Sequence, residues 1–206
     1  MAAEPLSAQE PVQEPMQKAL QERVQEPAPV PFEGRAAFAE ALRQALLQAC
    51  AEGRRDLFCL DTDFVAWPWS DAELLAALTD WARPPRRLHL LAWQFDDLRR
   101  RHPRFVQWRT TWGHCVLGRA CPPDGAAVGA LLGAAPPPLA LGLASGFFAG
   151  TGAQAVVSPL SVRLFDKQAW RGAVSLQSRD AVRMREQFDA LAQRSNESFA
   201  ATTLGI

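Results

Sequence analysis

The run DLFCLDTDFVA, from Asp56 to Ala66, begins with apolar residues of strand length and ends in acidic ones. A second run, RLHLLAW from Arg87 to Trp93, is apolar at both alternations, which is typical of a strand covered on two faces. Between them, Leu74, Leu78 and Trp81 recur at helical spacing. The two runs therefore predict a strand, a helix and a second strand.

The flanking sequence extends this alternation. One helix is predicted from Gly34 to Ala51, and two more after the second strand, over 96–102 and 104–112, before a strand at 115–117. Helices that alternate with strands favour a mostly parallel central sheet with helices on both faces, an α/β fold. Further along, the pattern indicates a final helix from Ser178 to Ser195 and strands at 139–144, 153–158, 161–165 and 170–176.

Composition and charge limit the classes of protein. The chain has 206 residues with 22 basic and 22 acidic side chains, and 48% of its residues are hydrophobic. These values exclude a collagen-like chain, a wholly disordered chain and a protein that is basic overall. The length fits one domain with an appendage.

The first 33 residues differ from the rest. They hold six prolines and six glutamates against Lys18 and Arg23, so their net charge is 2 − 6 = −4. The tripeptide Gln-Glu-Pro recurs, beginning at Gln9, Gln13 and Gln25. With few large apolar residues, such a segment cannot bury enough surface to fold alone. We therefore predict a disordered acidic tail at 1–33 and an α/β domain at 34–206.

The chain shows no targeting signal in its first residues. The start MAAEPLSAQE lacks the basic and apolar regions of a signal peptide, and the uncharged stretch from Gly125 to Val162 is broken by prolines and glycines. Four cysteines are too few for a disulfide scaffold and are expected to be buried free thiols. The sequence thus predicts a cytoplasmic protein that does not bind a membrane.

Positive charge concentrates in the middle of the chain. Between Trp81 and Cys121, nine arginines face only Asp96 and Asp97, a net of 9 − 2 = +7. Arginine forks suit phosphates and other anions. The interleaved aromatic residues fall on the opposite helix face, as core residues do. We therefore predict a non-catalytic binding domain that recognises an anionic ligand, a protein partner or, as a weaker alternative, nucleic acid, without a cofactor. The candidate residues are Arg99, Arg100, Arg104, Arg109, Asp61, Asp63 and Asp97. The acidic tail folding back on this segment is a further alternative.

The stretch LFCLDTDFVA also resembles the first motif of haloacid dehalogenase-type phosphatases. That resemblance implies that Asp61 is a nucleophile, Asp63 a general acid, and Mg²⁺ a cofactor that bridges both to phosphate. The sequence LALGLAS, ending at Ser145, is similar to the second motif of the family. The later acidic pair of the family is missing, since Asp180 stands alone. The competing interpretation is that Asp61 and Asp63 accept hydrogen bonds from loop amides.

From Arg35 to Ile206 the chain resembles a group of uncharacterised proteobacterial proteins, some of them appended to acetyltransferases. The resemblance rests on DLFCLDTDFVAWPWSDAELLAAL, RRLHLLAWQFDDLRRRHPRFVQW and ALAQRSNESFAATTLGI. It implies one half of a phospholipase D-like fold. The catalytic pattern of that family, H-x-K-x(4)-D, is absent, because His89, His102 and His114 have no lysine two residues later. The resemblance therefore implies no catalytic residue.

Two further expectations concern two tryptophans and the direction of the two apolar runs. Exposed Trp67 and Trp69 would serve as anchors if the domain is a structural, partner-binding module. If the two apolar runs lie side by side in the same direction, their acidic ends and the arginines share one rim of the sheet.

Overall fold

A computed structural model describes residues 26–122, 131–134 and 159–200. Within these residues, eight strands form one sheet in the order β1-β7-β6-β5-β2-β3-β4-β8. The strands are β1 (Val30–Phe32), β2 (Asp56–Leu60), β3 (Arg87–Ala92), β4 (Val116–Ala120), β5 (Leu131–Ala134), β6 (Leu160–Asp166), β7 (Arg171–Ser175) and β8 (Asn196–Glu197). The helices are α1 (Arg35–Ala51), α2 (Ala72–Trp81), α3 (Asp96–Arg101), α4 (Pro103–Trp112) and α5 (Ser178–Ala192).

The two apolar runs are neighbouring parallel strands, as expected. In the β2–β3 pair, Leu57 lies opposite Leu88 and Leu60 lies opposite Leu91. β4 continues the parallel set on the other side of β3. The ladder extends past β2, because the Asp61 amide donates to the Leu91 carbonyl at 3.1 Å. The acidic end of β2 therefore lies beside the end of β3.

The sheet as a whole is mostly antiparallel, so the predicted mostly parallel sheet is wrong. Two pairings of the described strands are parallel, and five are antiparallel. Parallel neighbours need a long crossover, and the described helices α2, α3 and α4 provide one between β2 and β3 and between β3 and β4. β6 and β7 are joined by a short turn instead, which allows only an antiparallel pair.

Helices cover both faces of the sheet. The larger core packs α1, α2, α3 and α4 against one face through residues such as Leu42, Leu78 and Phe105. On the other face, Phe188 of α5 packs over Phe58 of β2. This alternation along β2 reflects the period of two of a strand, which turns successive side chains to opposite faces.

Residues 26–33, assigned to the tail by composition, contact the sheet. Val30–Phe32 form β1, which pairs antiparallel with β7. The edge of β7 offers backbone hydrogen-bond partners to these three residues. The composition of a segment does not show whether such a partner strand is near. β1 therefore lies before the boundary predicted at residue 34. The tail prediction for 1–25, the strands predicted at 139–144 and 153–158, and Ser145 lie outside the described residues.

None of the helices in the described part of the chain combines the length and the apolar character needed to cross a lipid bilayer.

Candidate functional site

The first cluster lies at the end of β2, where Asp61 and Asp63 meet a lysine from the β6–β7 turn. The Lys167 ammonium is 3.5 Å from Asp61 Oδ1 and 3.6 Å from Asp63 Oδ2, and it also donates to the Thr62 hydroxyl. The acidic loop and this lysine are more than 100 residues apart in sequence, so the antiparallel half of the sheet brings them together. We call these four residues the Asp61 cluster.

Asp61 is the buried member of the cluster, with 4% of its surface exposed. One carboxylate oxygen accepts a hydrogen bond from the Trp67 indole at 2.8 Å, and the other accepts the Thr62 amide at 2.6 Å. Burial raises the pKa of the Asp61 carboxyl above its ordinary value, and the positive charge of Lys167 opposes that shift. Both oxygens are therefore occupied by donors of the protein.

Asp63 accepts the Val65 amide at 3.0 Å. The competing interpretation of the two aspartates, that they satisfy loop amides, is therefore supported by the geometry. The Lys167 ammonium supplies positive charge to both carboxylates. No three His, Cys, Asp or Glu side chains within residues 26–122, 131–134 and 159–200 gather as a metal-binding group. The cluster joins the loop after β2 to the β6–β7 turn.

The next pair of carboxylates, at the start of α3, forms its own ion pairs. Arg99 donates to Asp96 at 3.2 Å, and Arg100 donates to Asp97 at 2.5 Å, each one turn along the helix. The residues of the predicted site thus fall into separate groups. Asp61 and Asp63 bind Lys167, Arg100 binds Asp97, and Arg104 lies exposed on α4.

Arg109 behaves differently from the other candidate arginines, because it is buried. Its exposed fraction is 5%, and its guanidinium carbon lies 4.2 Å from the centroid of the Phe199 ring. Among the described residues, its Nε atom has no hydrogen-bond acceptor. Burial lowers the pKa of Arg109 to about 10, with Arg99 contributing by charge repulsion. The side chain therefore still carries its charge at neutral pH.

Arg109 lines a cleft of about 580 Å³ beside β4 and β8, at one end of the sheet. The rest of the wall comes from His89, from β4 residues 116–119, and from residues 197, 198 and 200. Leu117 is 41% exposed and gives the wall an apolar patch. We call this space the Arg109 cleft.

Gly118 shapes the Arg109 cleft. A side chain at this position would place its first carbon 2.8 Å from the Ser198 carbonyl and 2.9 Å from Phe199 Cβ. With glycine there, the Ser198 amide donates to the Gly118 carbonyl at 2.9 Å, and the chain after β8 crosses β4 closely. Phe199 then stacks on Phe95 with ring centroids 4.8 Å apart.

Two wall residues, Arg119 and His89, are held by side chains outside the wall. Arg119 donates to the Ser195 hydroxyl at 2.7 Å, and His89 lies 3.1 Å from an Asp56 oxygen. Burial lowers the pKa of His89, although the Asp56 contact opposes this shift. Glu197 lies opposite Arg119 in the β4–β8 pair.

Phe199, Arg119 and His89 were not among the predicted site residues. For Phe199, the sequence holds no signal, since the ring reaches Arg109 only after residues 90 positions apart in the chain have packed together. Arg119 belongs to the arginine-rich segment, and its place two residues after Leu117 in a short strand, on the same strand face, is the signal that could have selected it.

Two other predictions concern tryptophans and cysteines. Trp67 and Trp69 are 2% and 0% exposed, so their predicted role as exposed anchors is wrong. Their rings stack on each other at 5.4 Å, because the Trp67–Asp61 hydrogen bond and neighbouring aromatic rings hold them inside. All four cysteines are buried thiols, as expected, and burial raises the pKa of the Cys50 thiol to about 12.

Comparisons with known proteins add no relative: no protein-family model, no curated protein and no solved structure matches this chain.

Proposed function

We propose that this protein is a non-catalytic binding domain for a small organic anion, which the Arg109 cleft recognises. The observation that carries the proposal is the buried guanidinium of Arg109, which has no carboxylate partner among the described residues and lines an open cleft. Burying a cation without a partner is unfavourable, and a bound anion would offset that penalty.

The walls of the cleft favour an anion attached to an apolar body. Its volume, about 580 Å³, falls within the usual range for small-molecule sites. Arg109 offers forked donors to a phosphate or carboxylate group. Leu117 and the edge of β4 offer apolar contact to the rest of the molecule.

The arrangement of the other arginines favours a small ligand over nucleic acid. A nucleic-acid surface needs a continuous row of cations along the phosphate backbone. Here Asp96 and Asp97 neutralise Arg99 and Arg100, and Arg109 is buried rather than presented on a surface.

Calorimetric titration of the full chain with phenyl phosphate tests the proposal. We expect the Arg109→Gln variant to lose affinity by about 10- to 100-fold, the range of a charge-assisted hydrogen bond. Arg83→Gln removes an exposed arginine just after α2 that does not line the cleft, and it should leave the affinity unchanged. Inorganic phosphate should bind more weakly than phenyl phosphate, because it lacks the apolar body.

Three results would overturn this function. Arg109→Gln could bind phenyl phosphate as tightly as the natural chain, or the natural chain could fail to bind it. A twelve-residue oligothymidylate could bind while phenyl phosphate does not, which would identify a nucleic-acid surface.

A phosphohydrolase of haloacid dehalogenase type is the second candidate. The observation in its favour is the position of Lys167 beside Asp61 and Asp63. In that function, the two carboxylates would hold Mg²⁺, which would polarise a phosphate group. The test is Mg²⁺-dependent release of nitrophenolate from p-nitrophenyl phosphate, abolished by Asp61→Asn. The same rate from both chains, or no release by the natural chain, would exclude it.

We also propose that this domain is related to one half of the phospholipase D-like fold. A single mixed sheet with helices on both faces supports it. Because His89, His102 and His114 lack the lysine of the catalytic pattern, we expect no hydrolysis of bis(p-nitrophenyl) phosphate by the pure protein.

A further inference from the structure

The start of α5 already holds a carboxylate, supplied by the N-terminal segment. Both the amide and the hydroxyl of Ser178 donate to one Glu26 oxygen, at 3.1 and 2.5 Å. The next residue is held as well, since the Gln177 side chain donates to the Pro27 carbonyl at 3.2 Å. Two consecutive residues of the segment are thus bound by two consecutive residues at the start of the helix.

The surroundings of this contact are cationic. A groove of about 260 Å³ between β6, β7 and α5 begins beside it and is reached by Pro29 of the same segment. Arg163, Arg179 and Arg183 line the groove, against Asp180 as the acidic residue of its wall. Asp180 is itself bound by the Ser175 hydroxyl at 2.6 Å. The Ser178 hydrogen bonds lower the pKa of Glu26, so its carboxylate is charged at neutral pH.

The docked dipeptide is one copy of a repeated sequence. Glu-Pro occurs four times in the chain, as Glu4-Pro5, Glu10-Pro11, Glu14-Pro15 and Glu26-Pro27, and every copy precedes β1. Three of the copies follow a glutamine. The contacts at α5 use only a glutamate carboxylate and a proline carbonyl, which each copy offers.

We propose that the start of α5, with the arginine-lined groove beside it, is a docking site for Glu-Pro sequences, and that the other copies in this chain are alternative occupants. The helix N-terminus attracts the carboxylate through the Ser178 amide, and the arginines attract the acidic segment as a whole. Glu26 is the copy nearest to β1, so its short connection gives it the highest local concentration. This site is separate from the Arg109 cleft and does not depend on the function proposed for that cleft.

Binding of a fluorescent peptide tests the proposal. The peptide has the sequence of residues 9–16, QEPVQEPM, and its anisotropy is measured with full-length protein. We expect at least about 10-fold tighter binding to the E4Q/E10Q/E14Q/E26Q variant than to the natural chain, whose own copies compete. β1 stays paired through its backbone in that variant, and circular dichroism verifies the fold.

Matched variants locate the site. In the E4Q/E10Q/E14Q/E26Q background, Ser178→Ala and Arg183→Gln should each weaken binding several-fold, and Arg55→Gln, an exposed arginine elsewhere, should not. A peptide with both glutamates replaced by glutamine should bind at least about 10-fold more weakly, since it lacks the charge. The proposal is overturned if the glutamine peptide binds equally well, if Ser178→Ala and Arg183→Gln have no effect, or if removing the chain's own copies does not increase affinity.

Discussion

The Asp61 cluster and the Arg109 cleft both bury a charge, and they differ in what surrounds it. Asp61 has an ammonium group, an indole and an amide within reach, so its charge is matched inside the protein. Arg109 has an aromatic ring below it, a repelling arginine nearby and a cleft in front. Donors of the protein partly offset the burial of the Asp61 charge, whereas a buried charge without a carboxylate partner is suited to a ligand.

The largest loss of stability is expected from Phe199→Ala, which removes the aromatic ring that contacts Arg109. Phe199 is 2% exposed and stacks on Phe95. Its truncation should lower the free energy of unfolding by about 3–5 kcal/mol, as for other buried phenylalanines. Urea denaturation measures this loss. A loss below about 1 kcal/mol would show that the chain after β8 does not form one wall of the cleft.

The next largest loss of stability is expected from Lys167→Met, which removes the cation of the Asp61 cluster. Two carboxylates then lose their cation, and Asp61 stays buried. We expect a loss of about 1–2 kcal/mol, below the value for a fully buried pair because Lys167 is partly exposed. Lys167→Arg is the control that keeps the charge. Phenyl phosphate affinity should not change in either variant, and a parallel loss of affinity would contradict the separation of the two regions.

Arg109→Met should change the free energy of unfolding in the opposite direction, towards greater stability. Methionine removes a buried charge that the described residues leave without a carboxylate partner, and it keeps much of the packing against Phe199. We expect the ligand-free protein to gain about 1 kcal/mol of stability and to lose phenyl phosphate binding. Destabilisation of this variant comparable to that of Lys167→Met would indicate a structural role for Arg109 and remove the contrast.

The smallest expected effect is the pH dependence of stability that Asp61 contributes. Burial raises the pKa of Asp61 above its unfolded value, so the folded state binds this proton more tightly. The contribution of Asp61 to stability is therefore full at low pH and is lost as pH rises through the folded pKa. Relative to Asp61→Asn, the natural protein should lose stability as pH is raised from 4 to 7. Urea midpoints of both chains at several pH values measure the difference, and a constant or opposite difference would refute it.

Much of the central fold could be predicted from the sequence. The parallel β2–β3 pair follows from two continuous apolar runs joined by a segment with helical spacing, since each signal is local. α5 was recognised by its apolar stripe, and it ends at Ala192 instead of Ser195. The antiparallel half of the sheet was missed, because the direction of a strand depends on the length and path of its connection and not on its own residues.

For the candidate site, the sequence by itself determined which residues carry charge: the acidic loop after β2, the arginines of α3 and α4, and the Glu-Pro copies before β1. Only the tertiary structure decided what each charge faces. Lys167 reaches Asp61 across the sheet, whereas Arg109 is buried against the Phe199 ring without a carboxylate among the described residues. The physical reason is that charge belongs to a residue, whereas burial and pairing depend on neighbours that are distant along the chain.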